Sequence, residues 1–357
     1  MTLAEIKRRF FSAETYASTE SGKEIKGNIE AELPKIKTKD EMLRLRYSFE
    51  TMQQSLVRQI EETKTVNEQK GRIESELHIA CSIQMAMLPK TFPPFPDCDE
   101  VSIYGQLTPA KAVGGDLYDF YIRDQKLFFC IGDVSGKGIP ASLVMAVTRA
   151  LFRTISAHEE RPKRIVSQLS NTIAENNETG MFVTLFVGVM DLKTGHMDYC
   201  NAGHNPPLLI SSDGKRIGML PVDSNVPAGI MEGWTYTAQD TTIDCGTTIF
   251  LYTDGLNEAE DSTHGQFGDD RMMETAQAAC ADGRPSPRTL VERMVAAVHA
   301  FVGDAEQSDD LTMMAIQYNP KAAADGQRSH SITLPNDIDT VPQLPQFIDE
   351  VAEDAAL

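Results

Sequence analysis

Four apolar or β-branched segments each begin or end at an aspartate beside a glycine or a second acid, and this recurrence constrains the fold more than any other feature. In Leu127–Pro140 (LFFCIGDVSGKGIP), five apolar residues carry a strand towards Asp133. Ser135, Gly136, Lys137 and Gly138 then supply a turn, and Pro140 suits the first turn of a helix. Upstream, Gly114-Gly115-Asp116 opens Leu117-Tyr118-Asp119-Phe120. Downstream, Thr247–Tyr252 (TTIFLY) ends in Thr253-Asp254-Gly255, and Ser308-Asp309-Asp310 opens the run Leu311–Tyr318. One such turn closes an ordinary hairpin. Four of them predict strand ends that converge on one centre.

Converging carboxylates have a physical consequence. At about 4 Å and an effective dielectric near 20, a pair repels by roughly 4 kcal/mol, so an empty cluster is strained or partly protonated. Divalent cations remove that cost. Hard oxygen donors without neighbouring His or Cys favour magnesium or manganese over zinc or copper. Two such ions suit in-line attack of an activated water on a phosphoryl group, without a covalent phosphoenzyme.

The motifs GGDLYDF, GDVSGKGIPASLVMA, MFVTLFVGVMDLKTG, NAGHNPPLL, LYTDGLNEA, FGDDRM and DDLTMMAIQY follow in this order between about Ile73 and Tyr318. Together they resemble the bacterial SpoIIE/RsbU-type branch of the metal-dependent protein phosphatases (PPM, the protein phosphatase 2C superfamily). The resemblance implies that Asp133 bridges two metals, with the Val134 carbonyl as a second-metal ligand and Asp254 and Asp309 completing the first. It implies that Asp116 holds metal-bound water or an additional ion. Asp310 stands where many relatives carry Asn, so either Asp309 or Asp310 is the ligand, with Asp309 preferred. The catalytic set is then Asp116, Asp133, Asp254 and Asp309, and the metal set adds Val134 and Asp310. The cofactors expected are two Mn2+ or Mg2+ ions, with room for a third. No counterpart of the eukaryotic phosphate-binding Arg stands near Asp116.

Ahead of this domain, residues 1–52 are polar and helical in composition, broken at Glu32-Leu33-Pro34. They are similar to a HAMP signalling module, whose usual position after a transmembrane helix would make the chain the cytoplasmic part of a membrane-anchored receptor. A generic charged helical hairpin is the plainer alternative. Over 53–88, Leu56, Ile60, Thr63, Val66, Ile73, Leu77, Ala80, Gln84 and Met87 continue from Met52 at three- and four-residue steps. This predicts a parallel coiled coil and a homodimer, weakened where Thr63, Lys70 and Gln84 occupy the seam. An amphipathic helix packed on the following domain is the alternative. Residues 89–320 form the phosphatase domain. In 321–357, Ser331–Pro335 and a helix from about Val341 resemble the start of a GHKL-type anti-sigma kinase domain, without its nucleotide-binding motifs.

Within 89–320 the sequence predicts strands at 100–107, 118–123, 126–133, 181–191, 195–201, 208–210, 234–243 and 247–254. Helices are expected at 140–157, 162–176, 269–281 and 286–303, with a polar loop over 257–267. Strands in antiparallel runs and helices in blocks imply an α+β fold. The resemblance sharpens it to two stacked antiparallel sheets flanked by helix pairs, in which residues 140–176 couple the linker to the metal loops. His204, in Asn201–Pro207, is expected to cap or pack a turn rather than act as an acid or base.

A net charge of −19 argues against nucleic acid and anionic lipid as partners. Six cysteines without a C-x-x-C pair fit a reducing cytoplasm. By resemblance, the substrate is a phosphorylated STAS-type anti-anti-sigma protein in a partner-switching pathway. A catalytically inactive dimeric docking module and a phosphatase for small phosphorylated metabolites are the alternatives.

Overall fold

The computed structural model describes residues 40–320 apart from 176 and 282. The proposed HAMP-like module up to residue 39 and the kinase-like segment 321–357 lie outside them. The chain divides into two units, one ending at Ser82 and the other starting at Ile83.

Helix α1 (Asp40–Met87) supplies the described part of the first unit. Its 48 residues make it about 72 Å long. Same-face pairs at i, i+4, Arg46 with Glu50, Arg58 with Glu62 and Arg72 with Glu76, stabilise it by a few tenths of a kcal/mol each. Met52, Leu56, Val66 and Ile73 are exposed along it.

The second unit holds two five-stranded antiparallel sheets. One runs β1 (Val101–Thr108), β10 (Leu311–Tyr318), β9 (Thr248–Tyr252), β6 (Leu208–Ile210), β7 (Ile217–Met219). The other runs β2 (Leu117–Arg123), β3 (Lys126–Val134), β4 (Val183–Asp191), β5 (His196–Ala202), β8 (Gln239–Thr242). Helices α2 (Ile139–Ser156) and α3 (Pro162–Ala174) cover the second sheet. Helices α5 (Gly268–Ala279) and α6 (Pro287–Val302) cover the first, and a single turn α4 (Asp254–Asn257) follows β9.

The continuous apolar runs reflect burial on both faces of a strand. In β9, Ile249 and Leu251 face the core shared with the other sheet, while Phe250 and Tyr252 face α5 and α6. In β10, Met314 and Ile316 point to the shared core, and Leu311, Met313 and Ala315 point outward under Met272, Leu290 and Met294. The result is the expected layering of helices, sheet, sheet and helices. Ser286 caps α6 by accepting from the Thr289 amide, with Pro287 in the first turn, as the sequence predicts.

The structure departs from expectation around the predicted strand 234–243, of which only 239–242 pairs. The Asn225 side chain instead binds both the amide and the carbonyl of Thr237, replacing a strand neighbour. Gln84, expected on the coiled-coil seam, is buried against the second unit's own loop.

Candidate metal centre

Two hairpin registers bring the aspartates together. Leu117 pairs with Gly132, which sets Asp116 at the start of β2 across from Asp133 near the end of β3. Tyr252 pairs with Met313, which sets Asp254 just beyond β9 against Asp309 and Asp310 just before β10. The chain therefore delivers acids from both sheets to one end of the sandwich. Thr253, which sequence reasoning passed over, ties the two sheets there. Its hydroxyl donates to Asp116 Oδ2 at 2.8 Å and its amide to the Thr312 carbonyl at 3.1 Å.

The electrostatics are those of a frustrated cluster. Asp116 is 2% exposed, and burial, then the charges of Asp133 and Asp310, push its carboxyl well above the usual range. Burial and then Asp254 push Asp133 up to about 7, and burial and then Asp309 raise Asp254. Lys137, from the turn after β3, places its ammonium 2.7 Å from Asp309 Oδ2 and 2.6 Å from the Ser308 carbonyl. One monovalent cation at the rim does not neutralise the interior. Among the described residues no three His, Cys, Asp or Glu side chains close into a ready-made ion cage. The donor set is nonetheless all hard oxygen and over-supplied with negative charge, which fits magnesium- or manganese-type ions.

Asp309 and Asp310 differ sharply in their surroundings. Asp310 is buried, and its two oxygens accept from the backbone amides of Ala110 (2.8 Å) and Gly115 (2.7 Å), with Asp116 N at 3.4 Å. A Cβ at Gly114 would overlap that carboxylate, and one at Gly255 would overlap the Asp310 carbonyl, so both glycines are demanded by close approach. Asp310 thus clasps the Gly114–Asp116 loop. Asp309 caps the Asp310 amide through Oδ1 and turns Oδ2 to Lys137. Val134 packs against the same loop, its carbonyl 2.9 Å from where a Gly115 Cβ would stand.

His204 packs, as expected. The His204 amide donates to Asn201 Oδ1 and the Asn201 side chain donates to the His204 carbonyl, each at 2.7 Å. Its Nδ1 lies 2.9 Å from the Thr184 hydroxyl, and burial lowers its pKa to about 4. Beneath the centre, fully buried Asp119 holds α2 to β2 through Arg149 Nε at 3.1 Å and Arg153 Nε at 2.6 Å. The two arginines lie one helical turn apart in Ile139–Ser156, a spacing visible in the sequence once α2 is recognised.

The chain is similar to known proteins in sequence and in fold. The sequence model of the Stage II sporulation protein E (SpoIIE) family matches residues 123–319. The chain is 30% identical over 273 residues to Protein IcfG of Synechocystis sp., covering 68% of this chain and 42% of that protein. It is 24% identical over 258 residues to the phosphoserine phosphatase RsbU of Bacillus subtilis, covering 72% and 74%. Its fold is similar to the SiaA-PP2C domain of Pseudomonas aeruginosa, with a TM-score of 0.61 at 22% identity over 70% of this chain and 98% of that domain. The chain therefore spans less than half of IcfG and about three quarters of RsbU. Its sheets are laid out as in that PP2C domain, and with more than half of its length matched by the family model, this chain belongs to the SpoIIE family.

Proposed function

We propose that this chain is a metal-dependent serine/threonine protein phosphatase that hydrolyses phosphoserine or phosphothreonine on a STAS-type anti-anti-sigma protein. The observation that carries the reading is the convergence of Asp116, Asp133, Asp254, Asp309 and Asp310 from both sheets on one end of the sandwich, where burial and neighbouring acids raise the pKa values of Asp116, Asp133 and Asp254 and a divalent cation would offset that charge. Asp133, Asp254, Asp309 and the Val134 carbonyl would hold two Mn2+ or Mg2+ ions, with Asp116 orienting water or a third ion. When bound, such ions lower the pKa of a water and neutralise phosphoryl oxygens. The chain's own part is to fix the acids. Asp310 pins the loop of Asp116 through backbone amides, and Thr253 fixes the rotamer of Asp116. The amide contacts of Asp310 support a reading in which Asp310 is a clasp and Asp309 the ligand. The substrate class rests on the similarity to RsbU, named a phosphoserine phosphatase, and on the resemblance to its branch.

Regulation is proposed to enter through α1. Exposed Met52, Leu56, Val66 and Ile73 on a helix of 48 residues suit pairing with a second copy in a coiled coil. Helices α2 and α3 would then couple that coil to the loop of Asp133. A cytoplasmic setting is proposed from the six free cysteines, and among the described residues no helix is long and apolar enough to cross a membrane. The test is phosphate release from an aryl phosphate and from a phosphoserine STAS protein, with and without manganese, in the wild type and Asp133→Asn. Manganese-dependent turnover lost in the variant is expected; absence of manganese binding by the wild type would sink the reading.

A further inference from the structure

The Gly114–Asp116 loop owes its shape to groups at both of its ends. Asp310 takes the amides of Gly115 and Asp116, and the remaining polar backbone of buried Gly114 is taken by Gln84. Gln84 lies in the last turn of α1, is 7% exposed, and uses both ends of its amide on one residue. Its Nε2 donates to the Gly114 carbonyl at 2.6 Å, and its Oε1 accepts from the Gly114 amide at 3.2 Å. Four residues on, Leu88 is buried in the core, and the Pro89 carbonyl accepts from the Tyr118 hydroxyl at 2.9 Å. The exit of α1 therefore grips the chain two residues before Asp116 and two residues after it.

We propose that Gln84 is a positioning residue for the metal centre. Its amide locks Gly114 so that Asp116 is presented to Asp133, and the last turn of α1 thereby becomes part of the site's frame. The proposal rests on the metal-centre reading given above. Without Gln84, a buried carbonyl and a buried amide would lack partners, and the loop would recover them only by moving towards water. Such movement swings Asp116 away, because no residue intervenes except Gly115. A polar side chain at a helical position facing the domain is otherwise unfavourable, and an apolar residue would pack there at least as well. The bidentate contact supplies the reason for Gln. It also places a control on the loop in the segment through which a signal from residues 40–82 would arrive.

The test uses the full-length protein with Gln84→Leu, which removes both hydrogen bonds at similar size, and Gln84→Glu, which keeps the acceptor and loses the donor. Leu88→Ala is the control for lost packing at the same helix end. Hydrogen exchange of residues 112–117 is read in chelator, and manganese affinity is read by electron paramagnetic resonance of free Mn2+. Both Gln84 variants are expected to exchange the Gly114 and Gly115 amides about tenfold faster and to bind manganese about tenfold more weakly, the loss of one or two buried hydrogen bonds. Leu88→Ala is expected to change either quantity less than twofold beyond what its melting temperature explains. Unchanged exchange and affinity in the Gln84 variants, or an equal loss in Leu88→Ala, would overturn the positioning role. A wild type that binds no manganese would overturn the metal-centre reading and the proposal with it, an outcome distinct from normal binding that Gln84 does not affect.

Discussion

Replacing Asp133 with Asn should stabilise the metal-free protein while abolishing the proposed metal binding. The Asp133 carboxyl is held at about 7, against an ordinary value of 3.8, by burial and by Asp254. Because the folded value is the higher one, the native state binds more protons than the unfolded chain between those two values. Stability in chelator therefore falls as pH rises from about 4 to about 7 and stays low above. A shift of about three pH units is worth up to ~4 kcal/mol, and relaxation of the neighbouring acids reduces the expected gain from Asn to about 2–3 kcal/mol. For a domain of this size that is roughly 5–10 °C in melting temperature. The assay is a thermal melt of both proteins in chelator at pH 8 and at pH 4.5. Asp133→Asn should melt higher at pH 8, and the gap should shrink to under about 1 kcal/mol at pH 4.5, where the wild-type carboxyl is already protonated. Saturating manganese should reverse the order at pH 8, because only the wild type gains binding free energy. A variant that melts at or below the wild type at pH 8 in chelator would refute the frustrated-cluster argument.

Other outcomes follow from the same geometry. Asp309→Asn should lower turnover by at least about a hundredfold, whereas Asp310→Asn should keep activity within about tenfold and lose about 1–3 kcal/mol of stability, because its amide can serve only part of the three backbone donors; phosphate release and urea titration separate the two. Asp119→Ala strands Arg149 and Arg153 and should cost about 2–3 kcal/mol in urea unfolding, less than for a fully buried pair because both arginines reach solvent. His204, held near 4 by burial, should show no imidazole titration by NMR between pH 5 and pH 8, and a pH–rate limb near 6.5 that disappears in His204→Gln would contradict the packing role.

Much of the centre was legible because its chemistry is written locally. An apolar run and an aspartate beside a glycine or a second acid recur at four places, and any fold that buries those runs must set the aspartates at strand ends. The choice between Asp309 and Asp310 was not legible in this way, since adjacent residues of one type carry the same signal. What the fold adds is that Asp310 meets the amides of Ala110 and Gly115, residues about two hundred positions away, while Asp309 does not, and the proposal of Asp309 as the ligand rests on that difference. The roles of Thr253 and Gln84 escaped for a related reason: a threonine just after a strand and a glutamine at a weak helical seam are ordinary, and their meaning lies in their partners.

The amino-acid sequence by itself indicated most of the secondary elements and the recurring aspartates at strand ends, because periodicity, turn residues and charge act over short stretches of chain, while the two stacked sheets came from its resemblance to a known family. Only the tertiary structure decided which acids face one another, which one clasps a loop, and that Gln84 in the last turn of α1 binds Gly114. Those outcomes depend on strand register and on close approaches at Gly114 and Gly255, where a single β-carbon would overlap Asp310. Distances of that kind are settled by packing across the whole domain.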